Sequence, residues 1–335
     1  MTDEPETLPP ARAPNDTHDF AGFVRILGRG PGRSRSLTRA EARYALGMVL
    51  RGEATREQIG ALLMLLRYRG EAIPEATGLV EAARAHAGLP WNLAVDLDWP
   101  SYADGRTRGL PWYLLSALLL AGNGRRVLMH GPLAGPGRMP LVQSLALLGI
   151  APLGTPDAIA PALAAHGFAF AALENFHPGL ADLLALRGVL GLRSPLNTVG
   201  RLLNPADAPA SVDGVFHPAY IELHLGVAAA LNRAVTVLKG GGGEAEWTGA
   251  KALAVHTAGG ETLWPALPEA ARPTSQSAAE MIAVWRGARS DFGGETIVIA
   301  TTALALHAIN PSLDQPSSLK NARALWNARA PANKM

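Results

Sequence analysis

The sequence contains no cysteine, very little lysine and no long hydrophobic run. The absence of cysteine excludes disulfides, thiolate zinc sites and a cysteine nucleophile. No apolar run reaches the roughly 18 residues that a membrane span needs, and the first twenty residues carry Asp3, Glu4 and Glu6 where a signal peptide would be apolar. We therefore expect a cytoplasmic protein without membrane contacts.

Several enzyme motifs are also missing. The sequence has no Gly-x-Ser-x-Gly nucleophile elbow and no helical pair of histidines for zinc. The segment Gly28-Arg29-Gly30-Pro31-Gly32 looks like a phosphate-binding loop, but it lacks the Gly-Lys-Ser/Thr ending and follows no clear strand. A basic turn is the prediction for this segment.

Arginine supplies almost all of the positive charge. Lysine occurs at positions 239, 251, 320 and 334, and the rest of the 30 basic residues are arginines, while the formal net charge is only +2. Arginine binds phosphate oxygens with two parallel hydrogen bonds, so the preference for arginine over lysine is consistent with a phosphate-binding surface. The alternative explanation for the preference is the codon usage of a GC-rich genome. Between residues 25 and 51 the charge is concentrated, with Glu41 as the single acid among arginines at 25, 29, 33, 35, 39, 43 and 51.

The chain divides into a leader and two structured parts. Residues 1–19 are rich in Pro, Asp, Glu and Thr without periodicity, which predicts a disordered leader. From residue 20 to about 93, apolar residues recur at helical spacing, and Thr38 with Glu41 and Thr55 with Gln58 are capping boxes that start helices. This part is predicted to be a small all-helical domain.

Beyond residue 93 short apolar runs alternate with helical patterns, which predicts an α/β domain. Strands are expected at residues 126–130, 168–172, 234–238 and 251–256. Helices are expected at residues 112–121, 140–148, 276–285 and 295–307. The strand at 234–238 runs into four consecutive glycines, where backbone can approach another group closely.

Several stretches together resemble a known family. They are the Arg51-Gly52-Glu53 and Arg69-Gly70-Glu71 turns, Asp104-Gly105, His130-Gly131 after a strand, Phe176-His177-Pro178, and the segment from Leu190 to Pro205 with Asn197, Gly200 and Asn204. In residue type and spacing these resemble anthranilate phosphoribosyltransferases and pyrimidine nucleoside phosphorylases. The resemblance implies a helical domain (20–93, completed by about 177–207), an α/β domain (94–176 and 208–335) with a central, mostly parallel sheet, and a homodimer through the helical domain.

The phosphate-binding elements of this family are altered in the sequence. In relatives a Gly-Thr-Gly-Gly-Asp-Gly loop closes backbone amides around pyrophosphate. Here the corresponding residues are Pro100-Ser101-Tyr102-Ala103-Asp104-Gly105, which add Cβ atoms and remove an amide donor. The family's Asn-Ile-Ser-Thr turn becomes Gly109-Leu110-Pro111-Trp112, and its Lys-His-Gly-Asn becomes Met129-His130-Gly131-Pro132.

The metal-binding pair is altered as well. The resemblance implies an adjacent Asp-Glu pair for magnesium, where this chain has Glu244-Ala245-Glu246. We expect no catalytic residue, no metal ligand and no cofactor, with magnesium as the remaining alternative. The residues that mark the degenerate ancestral pocket are Ser101, Asp104, His130, Asn197, Glu244 and Glu246.

This pattern of losses resembles a YbiB-type branch of the family, whose members keep the fold, lack transferase activity and bind nucleic acid. The resemblance implies a largely sequence-independent homodimer that binds single-stranded DNA or RNA, because phosphate contacts need no base readout. Arg187 matches the arginine that lines the anthranilate site in relatives. The arginines predicted to contact nucleic acid are Arg29, Arg33, Arg35, Arg106, Arg108, Arg138, Arg187, Arg193 and Arg201.

Two alternatives stay open in the sequence. Trp99, Tyr102 and Trp112 either stack on bases or pack in the core, and His130 and His177 serve either in acid–base chemistry or in the structure. The competing function is a glycosyl or phosphoribosyl transferase, or a phosphorylase, with a rewired site.

Overall fold

A computed structural model of the chain describes residues 20–30, 32–102 and 109–329. The leader predicted over residues 1–19 lies outside this part of the chain. Three candidate site residues, Asp104, Arg106 and Arg108, also lie outside it.

Four helices open the described chain: α1 (Phe20–Gly28), α2 (Arg39–Leu50), α3 (Arg56–Arg69) and α4 (Ile73–His86). The capping boxes are confirmed, because Thr38 and Thr55 each accept an amide hydrogen bond while Glu41 and Gln58 bond back to the cap residue. The buried faces of the four helices contribute to one apolar cluster.

Among the described residues, the α/β part has eight strands at its centre: β1 (Leu97–Pro100), β2 (Val127–Gly131), β3 (Pro152–Leu153), β4 (Phe168–Ala172), β5 (Val212–Val215), β6 (Thr236–Lys239), β7 (Leu253–Thr257) and β8 (Gly260–Trp264). They make two four-stranded sheets, in the orders β1-β2-β4-β3 and β5-β6-β7-β8. A parallel bridge between Asp98 and Ser211 joins the sheets at β1 and β5. All pairings are parallel except β6 with β7 and β7 with β8.

The remaining helices are α5 (Trp112–Ala121), α6 (Met139–Leu148), α7 (Pro156–His166), α8 (Leu173–Phe176), α9 (Pro178–Ala185), α10 (Arg187–Leu190), α11 (Leu196–Arg201), α12 (Ala219–Ala230), α13 (Ala278–Trp285), α14 (Phe292–Ile309) and α15 (Gln315–Ala328). Alternation along β2 separates two cores: Val127 and Met129 pack with α5 and α14, while Leu128 packs with α7 and the helical domain. Both faces of this sheet are therefore covered, as parallel sheets require. The predicted fold class is confirmed.

Helices α9 and α11 pack on the helical side of the molecule. Leu180 and Val199 belong to the same buried cluster as α1–α4, and Arg84 of α4 donates hydrogen bonds to the carbonyls of Leu203 and Asn204. These contacts support the proposal that residues 177–207 complete the helical domain.

Helix α14 is 18 residues long and apolar enough, by length and composition, to cross a membrane. Of this segment 78% is buried inside the protein, where it packs against α5 and α15. Since core helices of folded domains share this composition, we interpret α14 as the central helix of the α/β domain.

Candidate functional site

The candidate pocket residues lie where four parallel strands end. Because β1, β2, β5 and β6 run in the same direction, the loops after residues 100, 131, 215 and 239 meet at one edge of the sheets. Ligands in open α/β folds bind at the carboxyl ends of the strands. The fold therefore brings Ser101, His130, Glu244 and Glu246 to the place where this architecture builds its sites.

A buried cluster of three side chains, which we call the Arg138 cluster, occupies this edge. Ser101 and Arg138 both donate to Oε1 of Glu244, at 3.0 and 3.2 Å, and Arg138 Nη1 also donates to Ser101 Oγ at 3.2 Å. Arg138 Nε binds the carbonyl of Pro132 at 2.7 Å. None of the three residues is more than 3% exposed. The glutamate therefore has its countercharge within the chain.

Two glycines let the Glu244 turn reach this position. A Cβ on Gly240 would lie 1.6 Å from the carbonyl oxygen of Glu244, and one on Gly214 of β5 would lie 2.1 Å from its carbonyl carbon. Since no side chain fits at such distances, the turn after β6 packs directly on β5. The glycine run thus serves a close approach within the chain.

The two glutamates that stand in place of the family's metal-binding pair have partners within the chain. Mg²⁺ requires near-octahedral oxygen ligands. Glu244 already faces a guanidinium, and Oε2 of Glu246 accepts the backbone N–H of Tyr113 at 3.1 Å, at the start of α5. Within residues 20–30, 32–102 and 109–329, no three histidine, aspartate or glutamate side chains are grouped to hold a metal ion.

A second group of buried polar side chains begins at Tyr102. Its hydroxyl lies 3.0 Å from Nδ1 of His130, whose Nε2 lies 3.2 Å from Oδ1 of Asp98, and Oδ2 of Asp98 accepts from Ser211 at 3.0 Å. Burial, and then the charge of Asp98, raise the pKa of Tyr102 well above its ordinary value. The phenol therefore stays protonated, and its hydroxyl shares a hydrogen bond with Nδ1 of His130.

The residues that replace the family's loops fill space rather than open it. The ring of Tyr102 packs against α11, where a Cβ on Gly200 would lie 2.5 Å from Cε1, and Trp112 packs equally tightly against Gly294 of α14. Trp99, Tyr102 and Trp112 are all buried. Of the two roles left open for these aromatics, packing is the one the structure assigns.

Beside the Arg138 cluster lies an open basic cleft of about 260 Å³. The residues that line this cleft include Arg67, Arg187, Arg193, Asn197, Phe216 and Tyr220. Arg67 donates to the hydroxyl of Tyr220, which joins α3 to α12 across the cleft. Several guanidinium groups therefore lie on one small concave surface, which gives it positive charge.

The arginines predicted to contact nucleic acid are distributed over different environments. Arg29, Arg33 and Arg35 are exposed on the segment after α1, and Arg35 forms an ion pair with Glu41 at 2.7 Å. Arg187 and Arg193 line the basic cleft.

Arg138 and Arg201, which are also predicted to contact nucleic acid, form hydrogen bonds within the chain, and Arg201 lines the basic cleft as well. Arg138 is buried in its cluster. Arg201 is also buried and donates to the carbonyls of Asn197, Gly214 and Gly243, at 3.1 to 3.2 Å. The sequence shows that both residues are charged, but it does not show which groups accept their hydrogen bonds. Both guanidinium groups therefore hold loops together.

Several residues of this region are not identified by the sequence analysis. Arg67, Phe216 and Tyr220 line the basic cleft, and Asp213 forms a buried pair with His224 beside Arg201. A signal was present for Phe216, which directly follows β5 just as Ser101 follows β1. Recognising β5 would have placed Phe216 at the same sheet edge.

Comparisons with known proteins agree with this architecture. Residues 23–87 match the domain described as "Glycosyl transferase family, helical bundle domain", and residues 113–325 match "Glycosyl transferase family, a/b domain". The anthranilate phosphoribosyltransferase of Rhodopseudomonas palustris is 30% identical over 309 residues, which cover 91% of this chain and 87% of the relative. That of Leifsonia xyli is 36% identical over 222 residues, which span 66% of this chain and only 62% of the relative.

Solved structures of similar fold have the same name. Anthranilate phosphoribosyltransferase from Thermus thermophilus has a TM-score of 0.79 at 24% identity, with 91% of this chain and 94% of that chain covered. The Saccharomyces cerevisiae enzyme in complex with PRPP and Mg has a TM-score of 0.73 at 16% identity, with 93% and 94% covered. With the helical bundle and the α/β domain both matched in order, the chain belongs to this glycosyl transferase family and has the scaffold of its phosphoribosyl-transferring members.

Proposed function

We propose that the chain is a non-catalytic, largely sequence-independent binder of single-stranded nucleic acid built on this transferase scaffold. The observation that carries the proposal is the Arg138 cluster beside the basic cleft. Arg138 neutralises the Glu244 carboxylate at the strand ends, so this carboxylate attracts neither a metal ion nor a metal-bound pyrophosphate. The adjacent surface presents Arg67, Arg187 and Arg193.

A polyphosphate chain suits that surface better than a single metabolite does. Exposed Arg29 and Arg33 and half-buried Arg187 and Arg193 are spread over the helical domain and the cleft. A strand of nucleic acid can use separated cationic groups at once, and each phosphate contact releases counterions. We further propose that the protein is a homodimer through its helical domain, to be checked by sedimentation equilibrium.

Fluorescence anisotropy with a labelled oligothymidylate, measured from about 50 to 300 mM salt, tests the proposal. The logarithm of the binding constant should fall linearly with the logarithm of the salt concentration, with a slope of roughly 0.7 per phosphate contacted. Arg187→Glu and Arg193→Glu should each weaken binding about equally for oligonucleotides of different sequence. Lys320→Glu is the matched control, because Lys320 is exposed on α15 and does not line the cleft. Absence of binding at the lowest salt, or an affinity independent of salt, would refute the function.

A second candidate is a transferase with a rewired site. It is favoured by the names of the relatives and by the volume of the basic cleft. At about 260 Å³, the cleft has room for a small molecule beside Arg187 and Asn197. Incubation with phosphoribosyl pyrophosphate, magnesium and a panel of aromatic amines tests it, with the Rhodopseudomonas palustris enzyme as the positive control. Turnover by this chain would replace the first proposal.

A further inference from the structure

Phe216 is the exposed aromatic side chain of the basic cleft. It follows β5 directly, and half of its surface is exposed although the strand before it is buried. A single exposed apolar residue is ordinary on a protein surface. Phe216 differs because it lies beside cations at the edge where four parallel strands end.

The ring has neighbours on more than one side. The Arg193 guanidinium lies over it, 5.9 Å from the centroid, and the His217 ring meets it edge-on at 4.8 Å. On the backbone side Gly243 has a φ of 88°, and a Cβ there would lie 3.4 Å from that of Phe216. Arg201 fixes the Gly243 carbonyl. A preorganised ring loses little conformational entropy when a ligand stacks on it.

We propose that Phe216 and Arg193 form a stacking platform for one nucleobase of a bound single strand, with the neighbouring phosphates directed to Arg67 and Arg187. This inference rests on the proposed function and names the part of the cleft that takes a base. Every base has a π-face, so stacking adds affinity without selecting a sequence. An arginine over an aromatic ring adds a cation–π contribution and offers a second planar group on which a base can stack.

The aromatic residues named from sequence do not supply such a platform. Trp99, Tyr102 and Trp112 are all buried. Phe292, at the start of α14, is 60% exposed but does not line the cleft, which makes it a matched control. Phe216 and Phe292 are therefore similar in exposure and differ in their surroundings.

The test uses the full chain and an oligothymidylate containing one 2-aminopurine, whose fluorescence is quenched when it stacks. Phe216→Ala should lower affinity about fivefold or more and abolish the quenching, while leaving the salt slope unchanged, because no phosphate contact is lost. Phe216→Trp should retain both. Arg187→Ala should instead lower the salt slope by about 0.7, because one phosphate contact is lost. Phe292→Ala should behave as the wild type.

A polyphosphate of matched charge separates the base from the backbone. The wild type should bind the oligonucleotide more tightly than the polyphosphate, and Phe216→Ala should remove that difference. If Phe216→Ala binds the oligonucleotide as tightly as Phe292→Ala does, the platform is refuted while nucleic-acid binding stands. If the wild type binds no oligonucleotide, both proposals fail. Should Phe216→Ala not fold, Phe216→Leu against Phe216→Trp makes the same comparison.

Discussion

Replacing Arg138 by alanine removes the cation from a glutamate that is 1% exposed. Unit charges 3.2 Å apart attract by about 5 kcal/mol at an effective dielectric constant near 20. Truncating one partner of a buried ion pair costs about 3–5 kcal/mol, because the other charge stays buried without compensation. Arg138→Ala should therefore lower the free energy of unfolding by about 3–5 kcal/mol.

Equilibrium unfolding in urea near neutral pH measures this loss. Arg35→Ala is the control, since Arg35 forms an ion pair with Glu41 at 2.7 Å but is half exposed, and such pairs contribute about 1 kcal/mol or less. The double variant Arg138→Met/Glu244→Gln should be more stable than Arg138→Ala, because it leaves no buried charge. If Arg138→Ala and Arg35→Ala lose the same free energy, the Arg138 cluster does not neutralise this edge of the sheet.

Two further predictions concern pH and packing. Burial, and then a neighbouring imidazole, lower the pKa of His177 to about 4, so the unfolded chain takes up a proton first as the pH falls below about 6.5. The free energy of unfolding should be highest above about pH 6.5 and should fall towards pH 4 by at most about 3 kcal/mol. Urea unfolding at several pH values measures this dependence, and His177→Gln should flatten it. His166→Gln, at an exposed site, should leave it unchanged. A Cβ on Gly78 would lie 2.1 Å from the carbonyl oxygen of Arg39, where α4 crosses α2; Gly78→Ala should therefore lower the melting temperature by several degrees, with a loss of about 1–3 kcal/mol. Gly188→Ala, which meets open space, should leave the melting temperature nearly unchanged, and equal effects of the two alanines would contradict the packing argument.

Local chemistry explains which parts of the fold could be predicted. The helix starts at Thr38 and Thr55 depend on residues three positions apart, so sequence alone defines them. The expected strands and helices of the α/β domain are found, within about three residues at each end. Strand β8 and helix α15 are absent from the prediction, because their apolar residues show no clear period and depend on packing against distant elements.

The site could be predicted only in outline. The loops at the strand ends come together as the resemblance implies, yet the role of Arg138 depends on a glutamate 106 residues later in the chain. No local pattern shows whether such a charge is solvated or buried. Phe216 was missed for the opposite reason, since an isolated phenylalanine after a strand is expected to be buried and this one is half exposed.

The covalent attachment of the Arg138 guanidinium has a consequence for regulation. A bound metal ion or metabolite occupies a site in proportion to its free concentration, whereas a tethered group has a fixed effective concentration. The countercharge of Glu244 therefore does not vary with the cell's supply of divalent cations or phosphorylated sugars. The charge balance at this edge of the sheet is therefore a property of the fold itself.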